Sequence, residues 1–166
     1  MPDLITHVAL SHLIRRPFDM KKADQPAAPL RYMFYLGAIL PDILTRPWYI
    51  LFPATHDWTV LFHTPFGMIL TCALISLLLE PTLRKRVFIN LLAGSFGHFV
   101  LDALQKKITG NDYWLFPVSW KSVGYGLAHA DQFMDLIPVW LALVAGLEGC
   151  LILWARSKNR DNGALQ

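Results

Sequence analysis

The sequence predicts an all-α, membrane-embedded bundle of about five to six helices, because apolar runs of helical length alternate with short polar or proline-containing breaks. Of its 166 residues, 54% are hydrophobic and only 16% are charged, and the mean hydropathy is +0.38. This composition is too apolar for an ordinary soluble globule. We therefore expect one membrane-associated domain over residues 1–166, with an N-terminal helix and linker over 1–29 and a basic tail over 155–166.

The first part of the chain is predicted to form two helices joined by a linker. The first helix is expected from about Leu4 to Ile14, and a polar, proline-bearing linker follows from Arg15 to Pro29. The next apolar segment, Leu30 to Leu40, is expected to end at Pro41, because proline lacks a backbone donor and disfavours helix in the residue before it. Asp42 would then lie at the break.

Three more apolar runs predict the remaining helices. Thr64-Pro65 opens the first of these, because threonine is a good N-cap and proline is favoured at the first helical position, and this helix is expected to end near Leu79. The other two are predicted from Val87 to Leu104 and from Leu136 to Trp154. Runs of about 15 to 19 residues are marginal as membrane spans, which need about 20 residues. Tilted or partly embedded helices are compatible with such lengths.

The charged residues argue against a nucleic-acid partner. The net charge is only +3, and lysines and arginines fall next to apolar segments instead of forming a stripe with interleaved aromatic residues. Clusters of this kind are typical of the ends of membrane-embedded helices. Cys72 and Cys150 lie far apart inside apolar runs, so we interpret both as small core residues and not as a disulfide or a metal pair.

The most informative motif is a histidine and an aspartate, His98 and Asp102, inside an otherwise apolar helix. At positions i and i+4 both side chains leave the same helical face, about 6 Å apart along the axis. Ionisable residues at membrane depth mark a functional site by default. The pair is interpreted either as two ligands of one metal ion or as a hydrogen-bonded pair that joins two helices.

Other imidazoles and carboxylates are able to join this pair. Two of them lie at predicted helix ends and three more lie in the first helix or in loops: Asp42, His63, His7, His56 and His129. Such nitrogen and oxygen donors suit zinc, although manganese and iron accept the same ligands. The expected cofactor is therefore a divalent metal, with zinc preferred. A dinuclear site bridged by Asp102 or Asp42 also fits this donor set.

Each candidate also has a purely structural interpretation. Asp42 after a proline and His63 before a helix are common turn or cap residues. His7 and His12 are five residues apart, which does not align them on one helical face, so at most one is expected in the site and His7 is preferred. Glu148 has no evident companion in the last apolar run, where we expect it to be protonated or hydrogen-bonded between helices.

Five pieces of the sequence, in this order, resemble a known family. They are Thr6-His7, Gly37-Ala38-Ile39-Leu40-Pro41-Asp42, Phe62-His63-Thr64-Pro65, Gly97-His98-Phe99-Val100-Leu101-Asp102 and Tyr113-Trp114-Leu115-Phe116-Pro117-Val118-Ser119-Trp120. The pattern is similar to the inner-membrane-associated metal-dependent hydrolases of the YdjM-like family, which in turn resembles the zinc-dependent phospholipase C group. It covers roughly residues 6–120. The aromatic residues of the last piece are also typical of an interfacial anchor.

The resemblance implies a set of metal ligands and a location. The ligands carried over are His7, Asp42, His63, His98 and Asp102, and the location is a bacterial-type inner membrane, with the protein integral to it. The chain departs from the pattern at Thr64, where serine is usual, and at Ile43, where many members carry a further acidic residue. The second departure implies fewer metals or a different substrate.

Together these features predict a membrane-associated, zinc-type metal-dependent hydrolase. It would use metal-activated water on a phosphoester or related ester, with membrane lipid as the partner and a phospholipid headgroup as the natural substrate. His56 or Asp57 would position the water or act as the general base. The alternative is a non-enzymatic membrane protein, such as a small transporter or an assembly factor, that uses the same polar residues as an ion path.

Overall fold

The computed structural model describes residues 4–20, 28–106, 113–121, 125–127 and 129–163. Within these residues the chain is all-helical, as predicted, and five of its helices are long. The helices are α1 Leu4–Met20, α2 Ala28–Leu51, α3 His56–Thr59, α4 Pro65–Leu77, α5 Pro81–Leu104, α6 Ala130–Asp135 and α7 Ile137–Gly163. Two short 3-10 turns, Pro53–Thr55 and Val60–His63, lie on either side of α3.

Helices α2 and α5 pack with their backbones in direct contact, and this pair forms the centre of the fold. A Cβ atom added at Gly37 would lie 2.1 Å from the carbonyl oxygen of Leu91, and one added at Gly94 would lie 2.1 Å from that of Phe34. Only glycine allows so close an approach. The main hydrophobic cluster lies beside this contact and consists of Leu40, Met68, Cys72, Val87, Leu91 and Phe99.

The prediction that the second helix ends at Pro41 is wrong, because α2 continues through Pro41 and Pro47 to Leu51. Proline has no N–H to donate to the carbonyl four residues earlier, which here belongs to Gly37. The Ser95 hydroxyl of α5 donates to that carbonyl instead, at 3.0 Å. A side chain from the neighbouring helix thus satisfies the group that the proline leaves open, and Asp42 lies inside the helix.

Helix boundaries also differ at the N-terminus, where α1 continues past Ile14 to Met20. The expected linker begins with charged residues that the fold pairs. Asp19 is buried and accepts hydrogen bonds from Arg15 at 3.0 Å and from Arg31 of α2 at 2.7 Å. Because this pairing satisfies the charges, the helix extends through them. Residues 21–27 of the predicted linker lie outside the described residues.

Two other predicted boundaries shift by several residues. Helix α5 begins at Pro81 and not near Val87, since proline takes a favoured place in the first helical turn. Helix α7 does not end at Trp154 but continues through most of the predicted basic tail to Gly163.

A polar cluster attaches α7 to the rest of the fold. The Arg16 guanidinium of α1 donates to both carboxylate oxygens of Glu148, and Nε2 of His12 lies 2.8 Å from Oε1 of the same group. The Tyr35 hydroxyl of α2 lies 2.9 Å from Nδ1 of His12. The sequence offered no companion for Glu148 and predicted that it is either protonated or hydrogen-bonded between helices. The structure shows the second arrangement.

Two described helices, Pro81–Leu104 and Ile137–Ser157, are long and apolar enough to cross a membrane. Half of the apolar window of the first is buried inside the protein, whereas none of the window of the second is. Cys72 is buried as expected, but Cys150 is exposed on α7, because the described part of the chain leaves the apolar sides of this helix uncovered. Helix length and composition are thus consistent with membrane association.

Candidate metal centre

Five of the side chains that the sequence singled out converge on one buried site. His7 comes from α1, Asp42 from α2, His63 from the turn before α4, and His98 and Asp102 from α5. Four of them are at most 1% exposed, and His63 is 8% exposed. Ionisable groups are rarely buried to this extent unless they are paired or bind a metal. Convergence of groups so distant in sequence requires that α1, α2, α5 and the turn before α4 pack together.

One subset forms a three-donor arrangement. Nε2 of His63 lies 3.2 Å from Nε2 of His98 and 3.3 Å from Oδ2 of Asp102, and the last two atoms are 3.7 Å apart. Tetrahedral zinc with bonds of about 2.0–2.1 Å places neighbouring donor atoms about 3.3–3.4 Å apart. The observed separations are close to this value. Two imidazoles and one carboxylate, with a fourth position left for water or substrate, form a typical catalytic zinc set.

Asp42 and His7 extend this arrangement. Oδ1 of Asp42 lies 3.7 Å from Nε2 of His63 and 3.8 Å from Nε2 of His98. On the other side, Oδ1 of Asp102 lies 3.5 Å from Nε2 of His7. The two oxygens of Asp102 therefore face different imidazoles, which is the geometry that a carboxylate bridging two ions requires. The arrangement can hold one ion or two.

The orientation of His98 is fixed by a backbone hydrogen bond. Its Nδ1 lies 2.8 Å from the carbonyl oxygen of Ala38, an acceptor, so Nδ1 carries the proton and donates. The lone pair of Nε2 then faces the other donors, as in metal sites where the second ring nitrogen is bound to a backbone carbonyl. The ring of His7 stacks on that of His98 with centroids 4.0 Å apart. Neither ring nitrogen of His7 has a hydrogen-bond partner in the described part of the chain.

Arg46 lies one helical turn after Asp42 and forms an ion pair with Oδ2 of that carboxylate. Its Nη2 lies 2.6 Å from Oδ2 of Asp42. Burial alone would raise the pKa of Asp42, but the nearby imidazoles of His63 and His98 and the guanidinium of Arg46 hold this pKa below its usual value. The carboxylate is therefore ionised at neutral pH, as a metal ligand must be. Sequence reasoning missed Arg46, although its i, i+4 spacing from Asp42 was a usable signal.

Neighbouring side chains hold His63 in place. Thr64 is the N-cap of α4: its hydroxyl accepts a hydrogen bond from the backbone N–H of Gly67 at 3.0 Å and donates to the carbonyl of Leu61 at 2.8 Å. The prediction that Thr64 is the N-cap of the helix that follows His63 is therefore confirmed. Phe99 packs edge-on against the rings of both His63 and His98.

One other predicted ligand, His129, is not part of the converging group, and two predicted catalytic residues have side chains outside the described residues. His129 is exposed just before α6, and its backbone N–H donates to the Gln132 side chain at 2.8 Å. Among the described residues it belongs to neither of the two groups able to hold a metal. The backbone of His56 and Asp57 lies in α3, whereas their side chains are outside the described residues, so their role in catalysis stays a prediction.

The aromatic segment that follows α5, residues 113–120, contributes one ring to the surroundings of the buried site. Trp114 packs edge-on against Phe99, which in turn contacts both imidazoles. Trp120 is 65% exposed and contacts Phe116 and Tyr113. The segment therefore has one side against the core and one side accessible from outside, which an interfacial anchor requires.

Comparison with protein-family models, curated proteins and solved structures found no match for this chain. The case for its function consequently depends on the site itself. Two histidines and one aspartate with metal-ligand spacing, and a second aspartate and a third histidine beside them, are its main evidence.

Proposed function

We propose that this protein is a membrane-associated hydrolase that depends on a divalent metal, most naturally zinc, and cleaves a phosphoester or related ester. The observation that supports this most strongly is the convergence of five buried imidazole and carboxylate groups from four separate segments. A hydrogen-bonded pair joining two helices would need only two of them. Purely structural roles do not explain why His7 has no hydrogen-bond partner among the described residues.

His63, His98 and Asp102 would hold the first ion, with Asp42 beside them. A second ion would use His7 and the other oxygen of Asp102, because the single lone pair of His98 Nε2 can serve only one ion. When bound, the metal would lower the pKa of a water molecule towards neutrality and polarise the ester.

The residues of the chain would carry out the remaining tasks. The Ala38 carbonyl keeps the proton of His98 on Nδ1, so that Nε2 stays available as a ligand. Burial of the carboxylates excludes competing water and strengthens their interactions with charge. His56 or Asp57, whose backbone lies in α3, would accept the proton of the attacking water.

We propose an integral location in a bacterial-type inner membrane and lipid headgroups as the natural substrates. Two apolar helices of spanning length support this location. Phosphoesters of lipid headgroups lie at the boundary between the apolar and aqueous phases, where a protein embedded in this way encounters them.

Hydrolysis measured with and without a chelator tests the proposal. Detergent-purified protein should release product from a panel of phospholipids or from a soluble phosphodiester, and the chelator should abolish this release. Asp102→Asn should lower the rate at least about 100-fold. His129→Ala is the matched control, because it removes an exposed histidine outside the buried group, and it should retain the wild-type rate.

Two results would contradict the proposal. One is hydrolysis that survives both the chelator and Asp102→Asn. The other is ion flux in liposomes that depends on His98 and Asp102, without any hydrolysis, which would favour the ion-path alternative.

A further inference from the structure

Gln105, at the C-terminal end of α5, has a buried polar side chain that makes no hydrogen bond to the described part of the chain. The residue is 1% exposed, and neither Nε2 nor Oε1 of its amide has a hydrogen-bond partner there. Buried side-chain amides are nearly always hydrogen-bonded, because losing water without gaining a partner is unfavourable. The two N–H donors and the acceptor of this amide are therefore available to a ligand.

Gln105 lies on the face of α5 that carries the two ligand candidates of this helix. It follows His98 by seven residues and Asp102 by three, and both spacings return to the same side of a helix. Its φ of −87° is still near the helical value, whereas its ψ of 139° is extended, so the chain leaves the helix only beyond this Cα atom. Gln105 lies about 4.5 Å from Asp102 along the axis, and helical side chains point back towards the N-terminus. The amide is therefore directed towards the level of the Asp102 carboxylate.

Backbone hydrogen bonds bring a later segment against this end of α5. The N–H groups of Tyr125 and Leu127 donate to the carbonyls of Ala103 and Leu104, both at 2.8 Å. Carbonyls in the last turn of a helix have no partner within the helix, so these contacts satisfy them. The amide of Gln105 gains nothing from this pairing and has almost no contact with bulk water. Only a group inside the protein can satisfy it.

His7 is a second side chain of this region with unused hydrogen-bonding capacity. Neither of its ring nitrogens has a hydrogen-bond partner among the described residues, and its Nε2 faces Oδ1 of Asp102 at 3.5 Å. One unsatisfied group thus faces Asp102 directly, and the other follows it by one helical turn. A metal ion and its bound water supply the lone-pair acceptor and the hydrogen-bonding groups that such side chains need.

Building on the proposed function, we infer that Gln105 is a solvent-positioning residue of the metal centre, whose amide Nε2 donates a hydrogen bond to the water or hydroxide bound to the ion. The contact would give the buried amide its partner. A donor aimed at metal-bound hydroxide stabilises the negative charge on that oxygen and holds it in one orientation for attack. Because the amide is neutral, it does this without competing with the ion for the carboxylates.

Two simpler roles for Gln105 must be distinguished from this one. An amide that only fills space would affect stability equally with and without metal. An amide that only orients Asp102 would affect metal affinity, but not the affinity for an anion that replaces the metal-bound water. Contact with that water would change both affinities, and it would make the effect on stability depend on metal.

The test uses full-length protein in detergent and two apolar variants of similar size, Gln105→Met and Gln105→Leu. Asn90→Leu is the matched control, because Asn90 is also buried on α5 and its Oδ1 also lacks a hydrogen-bond partner in the described residues. It precedes His98 by about 12 Å along the helix axis. The measurements are zinc affinity, thermal unfolding with chelator and with saturating zinc, and azide affinity of the cobalt-loaded protein, followed by visible absorption.

Gln105→Met should bind zinc about 10-fold more weakly than wild type. In chelator its Tm should be at least about 2 °C higher than that of wild type, because an unsatisfied amide has been removed. Saturating zinc should reduce or reverse this difference. Azide, which takes the place of the metal-bound water, should bind at least about 10-fold more weakly.

Gln105→Leu should give the same pattern, so that a packing fault of one side chain does not decide the result. Asn90→Leu should bind zinc and azide as wild type does, and its change in Tm should be the same with and without zinc.

The inference is overturned if the Gln105 variants bind zinc as wild type does and shift Tm equally in both conditions. Weaker zinc binding with unchanged azide affinity would also overturn it, in favour of a role in orienting Asp102. Both failures leave the proposed function intact, since wild-type protein still binds zinc. Wild-type protein that takes up no zinc would instead remove the proposed function, and with it this inference.

Discussion

At the scale of single residues, the two ring nitrogens of His98 have different functions. One holds the ring in place and the other faces the candidate metal ligands. Nδ1 donates to the Ala38 carbonyl of α2, and Nε2 faces His63 and both carboxylates. Sequence reasoning identified His98 from its apolar surroundings and its spacing from Asp102. It did not identify the carbonyl that fixes the tautomer, since backbone acceptors leave no mark in the sequence.

The Thr64 hydroxyl provides the first prediction. Thr64→Ala removes an N-cap hydrogen bond to the Gly67 backbone and should lower the free energy of unfolding by about 1 kcal/mol. Thermal unfolding in detergent measures this change. Thr64→Ser keeps the hydroxyl and should match wild type, so an equal loss in both variants would show that the methyl group matters and not the cap.

At the scale of helices, the contact between α2 and α5 determines whether the site forms. Gly37 and Gly94 let the two backbones touch, and Pro41 frees a carbonyl that Ser95 then occupies. Proline is normally a sign that a helix ends, and it misled the prediction for α2 because the compensating donor comes from a helix far away in sequence. Local propensity cannot anticipate a hydrogen bond between distant elements.

Glycine substitutions on α5 give the second prediction. Gly94→Ala would place a methyl group 2.1 Å from the Phe34 carbonyl, so it should destabilise the fold by about 1–3 kcal/mol or more and reduce metal content. Gly97→Ala is the matched control on the same helix, because nothing lies within 4 Å of its added Cβ. It should be neutral or stabilising by up to about 1 kcal/mol. Equal effects of the two variants on thermal unfolding would contradict the close contact.

The cluster around Glu148 gives a third prediction. Arg16 and Glu148 connect α1, which also carries His7, to the exposed apolar helix α7. Arg16→Met, Glu148→Gln and the double variant form a thermodynamic cycle, and a coupling energy of about 0.5–3 kcal/mol is expected. Effects that simply add would mean that the pair does not hold α7 in place.

At the scale of the whole molecule, composition and apolar periodicity were sufficient to predict the all-helical fold of the described residues and to locate most of their helices. Residue type and position named the five groups that converge among seven candidates, together with His56 and His129, and the resemblance implied the same five as ligands. The i, i+4 spacing of Arg46 from Asp42 was a usable signal, but contacts between distant helices were not predictable. Glu148 meets Arg16 and His12 only when the chain has folded, and His129, equally good by residue type, lies exposed at the surface.

Membrane association gives a fourth prediction. The protein should remain with membranes after an alkaline carbonate wash, since α5 and α7 are long and apolar enough to span. Leu143 is exposed in the first half of α7, and Leu143→Lys should disfavour insertion of this helix by up to about 3 kcal/mol and reduce the membrane-bound fraction. Gln132→Lys adds the same charge outside α7 and should have no effect. Wild-type protein released by the wash would contradict membrane embedding.

The most direct test of the metal centre is elemental analysis of protein purified without added metal. Wild-type protein should contain at least about one divalent ion per chain. Asp102→Asn and His98→Gln should lose at least about 90% of it while circular dichroism shows the helices intact, and His129→Ala should retain it. Folded wild-type protein without metal, or equal losses in His129→Ala and Asp102→Asn, would contradict the account.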